Sequence, residues 1–244
     1  MIVVFAIDAL EYELVEKFGC NNLKQEYYGK TNISEFSQPR TMVLWSSFMT
    51  GENKEKEVLK DGDKEMWNKK WPIEKTFFSE FKNPVILDLP GFSYDLKVHE
   101  KSRKLLKEFF EAKDKEEKDK IRKEYNKDAF EHHKKIKDEF FKALNEDRDF
   151  VLGYFSVADV IGHLNFGNTT MMKMIYKELD EIAEKIKNNN KVDKLIILSD
   201  HGMKAIGMFG DHSNYGFWST DFRELNNPRI TDFFKLIKEV KNEG

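Results

Sequence analysis

Four short runs in this chain are rich in Val, Ile, Leu and Phe and show no polar alternation: Ile2–Ile7, Pro84–Leu87, Phe150–Phe155 and Lys194–Leu198. A strand with one wet face alternates polar and apolar residues, whereas a strand covered on both faces does not. Runs of this kind call for a mostly parallel sheet covered by helices. Between the third and fourth, Met172, Ile175, Leu179, Ile182 and Ile186 recur at three- and four-residue spacing, which gives a helix with one apolar stripe. Strand, helix, strand with a single crossover is the βαβ unit, so the expected fold class is α/β.

Size fits that reading. A chain of 244 residues with 40% hydrophobic content can close one large domain. The excess charge lies in residues 101–146, where Lys and Glu crowd a minority of apolar residues such as Leu105, Phe109, Phe130 and Phe140. This pattern reads as two or more amphipathic helices with charged outer faces. Residues 52–75 and 89–146 read as an excursion, a small helical cap at about 52–146 on a single domain 1–244. Thr231 is placed as the N-cap of a last helix that turns Phe233, Phe234, Leu236 and Ile237 inward.

Composition excludes several classes. Lys and Arg number 41 against 44 Asp and Glu, a net charge of −3, which argues against a bulk nucleic-acid-binding protein. The single cysteine, Cys20, allows no internal disulfide framework. The N-terminal run lacks a signal-peptide pattern, and no apolar stretch approaches membrane-spanning length, so a cytoplasmic protein with no membrane partner is expected.

The chemistry gathers where the strands end. Asp8 closes the first run, Asp200 closes the last, and Asp159 lies just past the third. Ligands of open α/β sheets bind at the carboxyl ends of the strands, so these acids meet on one edge. Three unpaired carboxylates repel unless cations neutralise them. Half of the six histidines stand beside or one turn from an aspartate: His163 four after Asp159, His201 after Asp200, and His212 after Asp211 in a glycine-bearing loop. Carboxylate and imidazole together suit a divalent metal such as Zn²⁺ or Mn²⁺. His99, His132 and His133 follow no carboxylate-bearing strand and are not read as ligands.

The segment Arg40 to Gly51 reads as a loop entering a short helix that closes at Gly51. A hydroxyl at a helix start sits where backbone N–H groups favour an oxyanion, so Thr41 is either a nucleophile or an N-cap.

Taken in order, these segments resemble the alkaline phosphatase superfamily and, within it, the type I phosphodiesterase/nucleotide pyrophosphatase group. The carriers are Ile7-Asp8-Ala9, Thr41 ten residues before Gly51, Leu89-Pro90-Gly91-Phe92-Ser93-Tyr94, Asp159-Val160-Ile161-Gly162-His163, Ser199-Asp200-His201-Gly202-Met203, and His212 with Gly216 after it. The resemblance implies a three-layer fold and a two-metal site. Asp159, His163 and His212 would hold one ion; Asp8, Asp200, His201 and the Thr41 oxygen would hold the other. Zinc is the usual metal, manganese an alternative. It also implies hydrolysis of a phosphate ester or nucleotide through Thr41, by way of a phospho-threonine. Ala9 stands where the group usually has Gly, a change expected to shift the loop without removing a ligand. Arg40, Trp45 and Tyr94 are the candidate substrate contacts: Arg40 adjoins Thr41, and the two rings can wall the pocket or stack a base, with core packing as their other use. Two alternatives stand beside this reading: a phosphomonoesterase or phosphoglycerate-mutase-like member of the superfamily, and a non-catalytic metal-binding protein on the same fold.

Overall fold

The computed structural model describes residues 1–243. In chain order its elements are β1 (Ile2–Ile7), α1 (Tyr12–Lys17), β2 (Tyr27–Asn32), α2 (Thr41–Thr50), α3 (Glu55–Leu59), α4 (Gly62–Glu65), β3 (Pro84–Leu87), α5 (Leu96–Glu111), α6 (Lys115–Asn145) and β4 (Phe150–Phe155). There follow α7 (Val157–Asn165), α8 (Thr169–Lys187), β5 (Lys194–Ser199), β6 (Met203–Ile206), β7 (Phe209–His212), β8 (Tyr215–Thr220) and α9 (Asp232–Asn242).

The α/β expectation holds. A six-stranded sheet runs in the order β2-β8-β5-β1-β4-β3, with β1, β3, β4 and β5 mutually parallel and β8 antiparallel to both of its neighbours. All four apolar runs are strands of this sheet. β1 is central, and its alternate residues feed two cores. Val4 and Ala6 join Leu152 and Ile196 beneath α2 and α9. Val3, Phe5 and Ile7 join Val151 and Ile197 beneath α6 and α8. Both faces are dry, which is why the strand sequences show no alternation.

Two strands of the sheet, β2 and β8, were not expected. β2 is an edge strand, Tyr-Tyr-Gly-Lys-Thr-Asn, whose burial is patchy, so its sequence carries little apolar signal. A separate two-stranded hairpin, β6–β7, stands outside the sheet and carries His212 on its second strand. The charged segment forms the α5–α6 pair, which meets Leu164 of α7 in a small satellite core around Phe109 and Tyr125. Among the described residues, no helix is long and apolar enough to cross a membrane.

Candidate metal centre

Local backbone rules place each side chain. The amide of Asp8 still donates to Phe155 O at 3.0 Å, so Asp8 is fixed as the last rung between β1 and β4. The chain then turns at once through Ala9 in the left-handed region, φ 56°. Glycine adopts that geometry freely and alanine adopts it only with strain, which explains the group's usual Gly here. Thr41 is the first residue of α2, not its N-cap. The cap position belongs to Arg40, which makes no side-chain capping bond, and Gly51 closes the helix at φ 72°. Asp159 and His163 lie four apart on α7 and share a face. Gly162 between them permits a close approach: a Cβ there would lie 2.2 Å from Met203 Sδ of the β6–β7 hairpin. That contact brings His212 over α7.

The seven side chains converge. His201 Nε2 lies 3.4 Å from Asp8 Oδ1 and 3.4 Å from Asp200 Oδ2. Asp159 Oδ1 lies 3.3 Å from both His163 Nε2 and His212 Nε2. Thr41 Oγ1 lies 3.3 Å from His201 Nε2, and the rings of His201 and His212 stack. Two sets of ligand atoms are each mutually within 4.8 Å: Asp8, Asp200 and His201 in one, Asp159, His201 and His212 in the other. His201 thus lies between two halves.

These residues fit metal ions, as their hydrogen bonds show. Each imidazole turns its Nδ1 to a backbone carbonyl: His163 to Gly210 O at 3.2 Å, His201 to Gly202 O at 3.0 Å, His212 to Pro39 O at 2.7 Å. A nitrogen facing a carbonyl carries the proton, so each imidazole, when neutral, presents the lone pair of its Nε2 to the acids. Asp8 Oδ1, Asp159 Oδ1, both oxygens of Asp200 and His212 Nε2 are buried without a hydrogen-bond donor. Lone pairs facing lone pairs are unfavourable unless a cation sits between them. Spacings of 3.3–3.4 Å match the ~3.3 Å edge of a tetrahedron of N and O ligands about zinc.

Without cations, protons must serve instead. Burial, with Asp159 adding to it, pushes Asp8 up to about 7. Burial also pushes Asp200 well above the carboxylate range, and Asp8 and Asp159 reinforce it. Asp159 moves the other way: burial works to raise it, but the imidazoles of His163 and His212 hold it well below. Burial depresses His201 well below the usual imidazole value, keeping it neutral.

A cavity of about 320 Å³ opens over this centre, and its wall includes Asp8, Thr41, Asp159, His163 and His212. Arg40 and Tyr94 line it as well, although Arg40 is paired with Asp63. Trp45 does not. It is 0% exposed inside α2 and packs edge-on against Phe48 and Tyr154, so the wall expected of it is core instead. Every residue of α2 is buried, and beyond Thr41 at its start the helix packs its side chains into the core. Phe92 also packs on the core, edge-on to Phe78.

Sequence reasoning missed two supports of the centre and one cluster. The Tyr154 hydroxyl donates to Asp8 Oδ2; a buried tyrosine at a strand end needs such a partner, which was the available signal. Glu11, 4% exposed, accepts from Met203 N at 2.9 Å, Ser213 Oγ at 3.1 Å and the Tyr215 hydroxyl, tying down the chain just after His201 and just after His212. The cluster is Asp88, whose Oδ2 meets His99 Nε2 and His132 Nε2, each at 2.7 Å. Those are hydrogen-bond lengths, and the Nδ1 of His132 has no carbonyl behind it. This cluster pins α5 and α6 to the end of β3; its three ligand atoms also lie within 4.8 Å of one another, at lengths at which the two imidazoles hydrogen-bond to Asp88 directly.

Comparison with known proteins identifies the family. The chain matches the family described as type I phosphodiesterase / nucleotide pyrophosphatase over residues 56–226. Among solved structures, murine ectonucleotide pyrophosphatase/phosphodiesterase 5 is 15% identical with a TM-score of 0.44 over 84% of this chain, which spans 58% of that one. An inactive form of it in complex with AMP is 16% identical with the same TM-score of 0.44 and the same coverage, 84% and 58%. A structure described as Ps i-CgsB in complex with k-i-k-neocarrahexaose is 12% identical with a TM-score of 0.50, covering 100% of this chain and 72% of that one, a likeness of fold. No curated protein matches the chain. Asp159, His163, Asp200, His201 and His212 all fall within the matched stretch, which spans more than half of the sequence: the chain belongs to the type I phosphodiesterase/nucleotide pyrophosphatase family of the alkaline phosphatase superfamily.

Proposed function

We propose that this protein is a metal-dependent phosphoric ester hydrolase, acting on a diester or anhydride of nucleotide type with Thr41 as its nucleophile. The observation that carries this reading is the Thr41 hydroxyl at the start of α2, 3.3 Å from His201 Nε2 and on the wall of the same cavity as the unsatisfied ligand atoms. Asp159, His163 and His212 would hold one divalent ion, and Asp8, Asp200, His201 and Thr41 the other, with zinc the better match to this donor set and manganese the alternative. Such ions, when bound, neutralise the charge that builds up on the phosphoryl group and its attacking and leaving oxygens.

The chain's own residues supply the rest. With no side-chain cap on α2, its first-turn N–H groups are free to hold phosphoryl oxygens. Thr41 Oγ1 forms a bond to phosphorus as the bond to the leaving oxygen breaks; the threonine proton passes to solvent, and the leaving oxygen takes one from solvent. Water then cleaves the phospho-threonine and restores the hydroxyl. Glu11 and Tyr154 hold the ligand-bearing loops in place throughout. Arg40 and Tyr94 line the space above Thr41 where the ester groups lie.

Release of p-nitrophenol from the bis-ester and from the mono-ester tests this, with Zn²⁺ or Mn²⁺ added and then chelated. The bis-ester is expected to turn over faster, and chelation to stop both reactions. Thr41→Ala should keep two bound ions and lose most of kcat, by about 10³-fold or more. Wild-type kcat in that variant would end the nucleophile assignment.

A further inference from the structure

Three rings stack in series along the cap side of the cavity. Tyr94 lies between His99, with centroids 4.0 Å apart and planes 9° from parallel, and Trp67, at 5.7 Å and 18°. The guanidinium of Arg103 lies over the Trp67 ring, 4.3 Å from its centroid, and its NH1 donates to the Tyr94 hydroxyl at 3.5 Å. Arg103 follows His99 by four residues on α5, so the bond from His99 to Asp88 also sets the face that carries Arg103.

Arg103 and Arg40 line the same cavity and differ in one respect. Arg40 is neutralised by Asp63 and bonded to Gln38 Oε1 at 2.8 Å. Arg103 enters no salt bridge among the described residues; its contacts are a phenol and an indole. A guanidinium held over a tryptophan with no carboxylate partner keeps N–H donors for an anion and loses little entropy in binding one.

We infer that Arg103 is a specificity-determining residue that binds a second phosphate of the substrate while the scissile phosphoryl group lies at Thr41. The preferred substrate is then one with a further phosphate beyond the bond that is cut. The inference rests on the proposed reading of the Thr41 site as the phosphoryl-binding end.

Calorimetry on zinc-loaded protein, with methylenediphosphonate and methylphosphonate as ligands, tests this without requiring turnover. Wild-type protein is expected to prefer the bisphosphonate, and Arg103→Gln should reduce that preference on the order of tenfold. Lys104→Gln removes an exposed charge from the neighbouring position and should leave the preference within twofold. A fall below fivefold in R103Q, an equal fall in K104Q, or no preference in wild type overturns the inference. Should R103Q fold poorly by thermal melting, wild-type protein provides the second measurement. Bisphosphonate, and not methylphosphonate, should slow phenylglyoxal labelling of Arg103 by fivefold or more; lesser or equal protection overturns it. The two readings fail separately. An Arg103-dependent preference in a protein that hydrolyses no ester removes the proposed activity alone, ester hydrolysis without the preference removes only the role of Arg103, and failure to bind either ligand removes both.

Discussion

His201 and His212 lie face to face, with ring centroids 3.7 Å apart and planes 20° from parallel. They come from opposite ends of the small hairpin region, and each is held by its Nδ1 on a carbonyl, Gly202 for one and Pro39 for the other. Two imidazoles at that distance resist both being charged. Burial decides which stays neutral, lowering His201, whereas Asp159 overcomes burial at His212 and raises it.

Metal should therefore stabilise the fold and displace protons as it binds. Zn²⁺ at a hundred times its Kd should add about 2.7 kcal/mol per site, read as a chelator-reversible rise in Tm. Asp8 titrates at about 7 without a cation, so affinity should increase as pH rises through that value. Asp159→Ala should bind one ion fewer; full retention of two would contradict the ligand grouping.

Glu11 joins three segments through one carboxylate, and its loss should loosen the ligands without removing any. Glu11→Gln turns an acceptor toward Met203 N and Ser213 Oγ into a donor, at an expected cost of about 2–3 kcal/mol. Thermal melting and zinc titration on the same variant are the check. Both Tm and metal affinity should fall, and an unchanged affinity would limit Glu11 to a role in folding.

Ala9 holds a left-handed conformation, φ 56°, that suits glycine. Ala9→Gly should relieve the strain and stabilise the protein by about 0.5–1 kcal/mol, because the greater freedom of the unfolded chain offsets part of the gain. A rise of roughly 2 °C in Tm is the expected reading.

Asp88 makes the cap's attachment sensitive to acid. Burial works to raise its pKa, but the His132 and His99 bonds win and hold it at about 2, below the usual 3.8. A depressed carboxylate stabilises above its unfolded value, and that stability disappears as pH falls through the folded one. The contribution is on the order of 2 kcal/mol. Asp88→Asn should be less stable than wild type by roughly that amount at pH 7, and denaturation curves for the two should draw together between pH 4 and pH 2.

The strands that carry the acids could be read from sequence because burial on both faces leaves one residue type in them: β1, β3 and β4 match their runs, and β5 extends its run only to Ser199. β2 could not be read because an edge strand with Lys30 and Asn32 resembles a loop, and β8, although interior and buried, is broken up by Gly216, Ser219 and Thr220 and so shows no apolar run. Asp8, Asp159 and Asp200 were legible from their place at strand ends, and the structure brings them together with His163, His201, His212 and Thr41. The tie of His99 and His132 to Asp88 was not, because 44 residues separate His132 from its partner and no local pattern records the pairing. Trp45 was misread for a related reason: proximity to Thr41 in sequence says nothing about which side of a wholly buried helix a ring takes.

The β6–β7 hairpin divides the centre by origin. Asp8 and Asp200 end strands of the main sheet and cannot move without breaking it. His212 is borne by a short ribbon whose tip leaves Ile206 and Met208 exposed, at 55% and 63%. Under the proposed grouping, the ion held with His163 and His212 would be reached by solvent while the one held with Asp200 and His201 would be sealed, so the two positions should exchange their metals at different rates.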